Sequence, residues 1–267
     1  MEIQQKQKLK RILVKIFSLC FQIRKILDKQ PRFTILMYHS VNPSHQWSIK
    51  PKEFEKQIKF LTSNYQASSL KDFLNFNKNS FAITFDDGYE DNFYYALPVL
   101  KKYNCPATFF ISTGFITKEL DITKNWECYR GLKSLTIEQI KAMKKEEMDF
   151  GCHTHAHPIL SKISLTEAKQ EIRKSKTILE EVLGGEIKFF AYPQGQLNTF
   201  NKDIISTLKE EGFQLACSTI WGSNNKNTNP FLLRRIRVDP QDTLEDFKAK
   251  IHGNWDFIKW FHLLKRV

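Results

Sequence analysis

Apolar residues along the first thirty positions fall at Leu9, Ile12, Leu13, Ile16, Phe17, Cys20, Ile23, Ile26 and Leu27, with Lys and Arg between them. That spacing predicts an amphipathic helix over 6–29. Pro31 ends it. Beyond that point short apolar runs alternate with helically patterned ones. The runs predict strands at Phe33–Tyr38, Phe81–Phe85, Ala107–Ile111, Met148–Cys152, Ile187–Tyr192, Phe213–Ser218 and Leu232–Val238. The segments between predict helices at Pro51–Ser63, Asp91–Tyr103, Thr136–Lys145, Leu165–Leu183 and Asn201–Glu211, with Asp242–His252 after the last strand. Ser164 with Glu167 three residues on is a capping-box signal, and Gly184-Gly185 stops the longest helix. The tail Gly253–Val267 is rich in Trp, Phe and Leu. It suits a membrane interface or a terminal helix that closes the fold.

Strand–helix alternation over about 200 residues predicts an α/β fold with a parallel sheet, open or closed into a barrel. Residues 33–247 contain no repeat and no low-complexity linker, so they read as one domain. It is flanked by the basic helix of 1–32 and the basic aromatic tail of 248–267. Charge sharpens this division. The chain of 267 residues carries a net +12, yet 1–32 hold +7 and 248–267 hold +4, which leaves +1 for the body. A nucleic-acid enzyme would carry its basic stripe across the body, so no nucleic-acid partner is expected. Basic ends mixed with apolar residues suggest peripheral contact with an anionic membrane surface, or a first helix packed on the body. No apolar run is long enough to span a bilayer, and Lys15 and Gln22 interrupt any signal-peptide core. The five cysteines include no C-x-x-C pair, which argues against a disulfide framework or a thiolate zinc site. The expected location is the cytoplasm or the cytoplasmic face of the inner membrane.

Four polar clusters each sit just past a predicted strand: Tyr38-His39, Asp86-Asp87-Gly88, His153–His157 and Tyr192-Pro193. In parallel α/β folds that face carries the chemistry. Three of the seven histidines lie within His153-Thr154-His155-Ala156-His157. Residues four apart share a face on a helical turn, whereas an extended segment would align 153, 155 and 157, so spacing leaves the ligand pair open. The two adjacent carboxylates suit a division of labour, one binding a metal and one left as a base. Together the clusters offer an Asp-His-His set with open positions, as a hydrolytic zinc site needs.

Several segments resemble the polysaccharide deacetylases of carbohydrate esterase family 4, which share the NodB homology domain. Thr84–Gly88 matches that family's T-F-D-D-G motif, His153–His157 its H-[S/T]-x-x-H motif, and Ala191–Gly195 resembles its R-x-P-Y-G motif. The resemblance covers roughly 33–240. It implies a distorted (β/α) barrel with fewer than eight regular units. It also implies Asp86 as base, Asp87, His153 and His157 as metal ligands, His155 as a bystander, and the Tyr192 backbone N–H as an oxyanion donor. Two departures stand out. The third-motif Arg, which supports the base, is Ala191 here, and no late L-x-H motif supplies the acid. Met37-Tyr38-His39 resembles the early M-Y-H motif of the branch acting on poly-N-acetylglucosamine, which makes His39 the general acid. Arg235, on the last strand, is the proposed substitute for the missing arginine.

The resulting expectation is a metal-dependent N-deacetylase of an N-acetylated glycan, with zinc as the default metal and cobalt or nickel also suited to the donors. Trp47 and Trp221 are candidate sugar-stacking residues. A lipid-linked or small N-acyl sugar is the competing substrate. The vacancy at Ala191 also leaves room for a non-catalytic, metal-retaining carbohydrate-binding protein.

Overall fold

Alternation of period two places every second residue of the strands inside a closed barrel. The structure, a computed structural model, describes residues 30–125 and 129–254. The helix expected at 6–29 and nearly all of the tail lie outside them. The strands are β1 (Phe33–Tyr38), β2 (Gln66–Ala67), β3 (Ser80–Phe85), β4 (Ala107–Ile111), β5 (Asp149–Cys152), β6 (Phe189–Ala191), β7 (Leu215–Trp221) and β8 (Leu233–Arg237). Among the described residues every pairing between these strands is parallel, and β1 pairs with both β3 and β8, which closes a ring of seven strands. The two-residue β2 sits beside the start of β3. This is the distorted (β/α) barrel expected from the sequence.

Helices cover the outside: α1 (Pro51–Asn64), α2 (Leu97–Lys102), α3 (Thr113–Ile116), α4 (Ile137–Lys145), α5 (Leu165–Leu183), α6 (Lys202–Glu210) and α7 (Leu244–Ile251). Ser164 caps α5 through the Glu167 N–H, and Gly184 ends it with a φ of 64°. The helix expected at Asp91–Tyr103 differs. Its first part, Asn92–Ala96, is a π-helical turn, and α2 begins only at Leu97. Pro98 has no N–H to continue the α-helical ladder, so the turn before it widens.

Outward residues of the strands, such as Leu36, Ile83, Phe109 and Phe190, pack under the helices with Phe54, Ile172 and Leu208. Inward residues form a second cluster that includes Ile35, Ala82, Phe110, Phe189, Leu215 and Leu233. A 3-10 helix at Leu70–Leu74, which alternation did not reveal, plugs its N-terminal end with Leu70 and Phe73. No helix links β7 to β8. Asn224 holds that connection instead, its side chain bonding to the carbonyl of Arg234 at 2.9 Å and accepting the Arg234 N–H at 2.8 Å. Its backbone also pairs with Phe33 in both directions at 2.9 Å, which ties the connection to β1.

One inward position must stay bare. A Cβ at Gly151 would lie 2.6 Å from the Phe110 ring and 2.8 Å from the Phe189 carbonyl. Both are fixed parts of the interior. Gly151→Ala is therefore expected to cost about 1–3 kcal/mol of stability, as overpacked cores do. Chemical denaturation of the two proteins checks this.

Candidate metal centre

The inward alternation of β3 runs through Ala82 and Thr84 and continues to Asp86, which is 2% exposed. Asp87 then turns the chain with a φ of 75°, followed by Gly88 at 88°. Across the rim, His153 leaves β5 with its N–H on the Ile111 carbonyl at 2.9 Å. The loop behind it is unusually bent, with Thr154 at φ 64° and His157 at φ 57°. Two devices hold that bend. Thr154 Oγ1 accepts the His157 N–H at 3.0 Å, and the Glu171 carboxylate of α5 accepts the N–H groups of His155 and Ala156 at 3.0 and 2.7 Å.

These turns bring Asp87, His153 and His157 together. One ligand atom from each lies within 4.8 Å of the others. The Nε2 atoms of His153 and His157 are 3.6 and 3.5 Å from Asp87 Oδ1. The donor set fits a divalent metal. The Nδ1 of His153 donates to the Ala191 carbonyl at 2.7 Å, which leaves the Nε2 lone pair facing Asp87. Burial lowers the His153 pKa to about 4, so the ring is neutral near pH 7, the form that can bind a metal. Tyr89 donates to the second Asp87 oxygen at 2.9 Å. His155 turns away, with Nδ1 3.0 Å from Thr113 Oγ1 and Nε2 3.4 Å from Glu119. The i, i+4 pair, and not the extended-segment set, is the one that faces Asp87.

Asp86 lies beside this cluster and is held by Arg235. The guanidinium donates to both Asp86 oxygens, at 2.7 and 2.8 Å, and to Thr84 Oγ1 at 3.2 Å. Its Nε donates to the Ser218 carbonyl at 2.9 Å, and its plane rests 5.7 Å from the Phe110 ring centre. Arg235 is fully inside the barrel. Burial alone would raise the Asp86 pKa, but the Arg235 charge, joined by that of His153 once its ring is protonated in acid, outweighs it and holds the carboxyl at about 2. Position 191 is Ala, and the guanidinium that reaches Asp86 comes from β8 instead.

His39 follows β1, and its ring stacks on Tyr129 at 5.4 Å. Burial lowers its pKa, while the charges of Asp87 and Asp86 oppose that shift. Tyr192 corrects the sequence reading. Its N–H is spent on the Cys217 carbonyl at 3.0 Å, because residue 192 still pairs with β7. Its ring points outward, stacked on Phe200 at 3.9 Å. The Gln194 N–H, two positions on at a φ of 58°, makes no hydrogen bond among the described residues. The signal was in the motif: Gln194 follows Pro193 as the motif's Tyr follows its Pro. Trp221 is buried under Lys250, while Trp47 is 42% exposed.

A parallel barrel that gathers one carboxylate and two imidazoles beside a second, arginine-held carboxylate defines a class: hydrolases built around a site for a divalent metal. Residues 74–216 match the family model of polysaccharide deacetylases. The chain is 30% identical over 234 residues to YxkH of Bacillus subtilis, covering 85% of this chain and 78% of that one. It is also 30% identical over 238 residues to the poly-beta-1,6-N-acetyl-D-glucosamine N-deacetylase of Staphylococcus aureus, covering 83% and 77%. Its fold superposes on the Streptococcus pyogenes deacetylase PplD in complex with acetate with a TM-score of 0.71, at 25% identity, covering 84% and 99%. The chain belongs to the polysaccharide deacetylase family, and it is a hydrolase of carbon–nitrogen bonds other than peptide bonds.

The pair of Asp86 and Arg235 is testable as a unit. Arg235→Met strands a buried charge and should cost about 3–5 kcal/mol at neutral pH. Asp86 titrates near 2 in the folded chain, below its ordinary 3.8. The stabilisation is therefore complete above about pH 4 and is lost as pH falls through 2. The gap between wild type and variant in denaturation should shrink over that window.

Proposed function

We propose that this enzyme removes acetyl groups from N-acetylglucosamine units of a polysaccharide, using a metal held by Asp87, His153 and His157. The observation that carries the reading is the placement of an ionised, oriented carboxylate, Asp86, directly beside a three-ligand site. The name of the Staphylococcus aureus relative supports the choice of sugar.

A divalent metal bound there would supply Lewis acidity toward the acetyl carbonyl and lower the pKa of a nearby water. The remaining work falls to the chain. Asp86, fixed by the two Arg235 bonds, takes a proton from the attacking water through its remaining lone pairs. Arg235 makes Asp86 a weak base, so its value lies in orientation and in staying ionised at all working pH. The Gln194 N–H donates to the oxygen on which negative charge develops. His39 gives a proton to the nitrogen as the carbon–nitrogen bond breaks, so the sugar leaves as an amine and acetate remains. Trp47 offers an exposed face at the rim for a neighbouring sugar ring.

Two measurements test this. Asp86→Asn should retain stoichiometric metal and lose at least about 100-fold in acetate release from N-acetylglucosamine oligomers. Chelation should abolish release in the wild type, and zinc, cobalt or nickel should restore it. Wild-type turnover by the Asp86→Asn protein would sink the base assignment. A metal-loaded wild type inert toward every such oligomer would sink the substrate.

A further inference from the structure

Three carboxylates are buried among the described residues: Asp86, Asp87 and Asp91. The first faces Arg235 and the second faces two imidazoles. Asp91 has no cation against it among the described residues and takes no part in the chemistry above. Its charge is met by hydrogen-bond donors alone, and these come from one short segment. Ser40 Oγ donates to Oδ2 at 2.5 Å, Asn42 Nδ2 to the same oxygen at 3.3 Å, and the Val41 N–H to Oδ1 at 3.4 Å. That segment begins at the residue after His39.

The donor order can be worked out. Ser40 gives its proton to Asp91, so the 2.5 Å contact between Ser40 and Ser48 must be a donation from Ser48. Ser48 Oγ also lies 3.0 Å from His45 Nδ1. A directed chain thus runs from Ser48 through Ser40 to a buried carboxylate. Burial pushes the Asp91 carboxyl up to about 6, and the bonds from Ser40, Asn42 and Val41 act in the opposite direction. A carboxylate buried without a counter-ion is tolerated only while its donors stay in place. Asp91 therefore fixes residues 40–42 as firmly as they solvate it. The π-helical turn that starts at Asn92 sets Asp91 at the barrel rim where it meets them.

We propose that Asp91 is a positioning residue: acting through Ser40, it holds the backbone that aims His39 at the departing nitrogen. The inference rests on His39 as proton donor, and it assigns to Asp91 no contact with substrate.

A proton donor matters for an amine leaving group and not for 4-nitrophenolate, which departs unprotonated. The experiment compares kcat/KM for N-acetylglucosamine oligomers with that for 4-nitrophenyl acetate, on metal-loaded full-length protein. His39→Ala should lower the amide-to-ester ratio by about 100-fold. Asp91→Asn and Ser40→Ala should each lower the same ratio by about tenfold, with metal content as in the wild type. Ser40→Ala keeps the buried carboxylate and two of its donors, so it answers the question even if Asp91→Asn does not fold. An unchanged ratio in Ser40→Ala and Asp91→Asn, beside a lowered one in His39→Ala, overturns the role of Asp91 and leaves His39 intact. Equal losses of both activities in the two variants also overturn it, since that is support of the fold. An unchanged ratio in His39→Ala overturns the proton-donor reading itself.

Discussion

A guanidinium enclosed by a barrel of apolar side chains needs a partner, and Asp86 is the only carboxylate on which Arg235 lays two bonds among the described residues. Much of the site's architecture follows from that need. The barrel interior is layered, with Phe110, Phe189, Leu215 and Leu233 in the apolar cluster and Thr84, Arg235, Asp86 and His153 toward the C-terminal ends of the strands. An isolated charge in such a place would be costly, and the bidentate pair with its bonds to Ser218 and Thr84 satisfies the groups involved. The same pair holds the candidate base ionised and in one orientation, so stability and chemistry draw on one contact.

Backbone strain collects around this pair. Asp87, Thr154, His157 and Gln194 all have positive φ, though none is glycine. Each follows a strand end, and each turns a side chain or an N–H toward the rim. Such conformations persist only where the surroundings over-determine them. Here the surroundings are visible: Glu171 under the histidine loop, Thr154 on His157, and the Thr219 hydroxyl on the Gln194 carbonyl at 2.6 Å.

Much of this was legible in the sequence because the signals are local. Short apolar runs located the seven barrel strands, six of them to within about two residues at each end and β7 to within about three, and adjacent Asp86-Asp87 with His153 and His157 marked the cluster. Arg235 was legible only as a conjecture, since its partner lies 149 positions away and no spacing rule joins them. Other features depend on tertiary context. Periodicity predicted one helix at Asp91–Tyr103 because it does not register a proline's missing N–H. The Tyr192 assignment came from the motif resemblance, which does not show where β6 stops pairing, and the ladder claims that N–H. Spacing alone left His155 and His157 open and the motif resemblance chose His157; the bend at Thr154, which no residue type announces, is what turns that ring to Asp87.

The position of Arg235 has a consequence for how such sites diverge. A closed ring of strands has no first or last member, and every inward side chain near one level points at the same axis. A charged group can therefore be handed from β6 to β8 during descent while its partner stays put. Chains that have lost a signature residue from one strand need not be dead, provided another strand now reaches the same point in space. Activity in these barrels is better judged by which groups converge at the axis than by which letters survive in a motif.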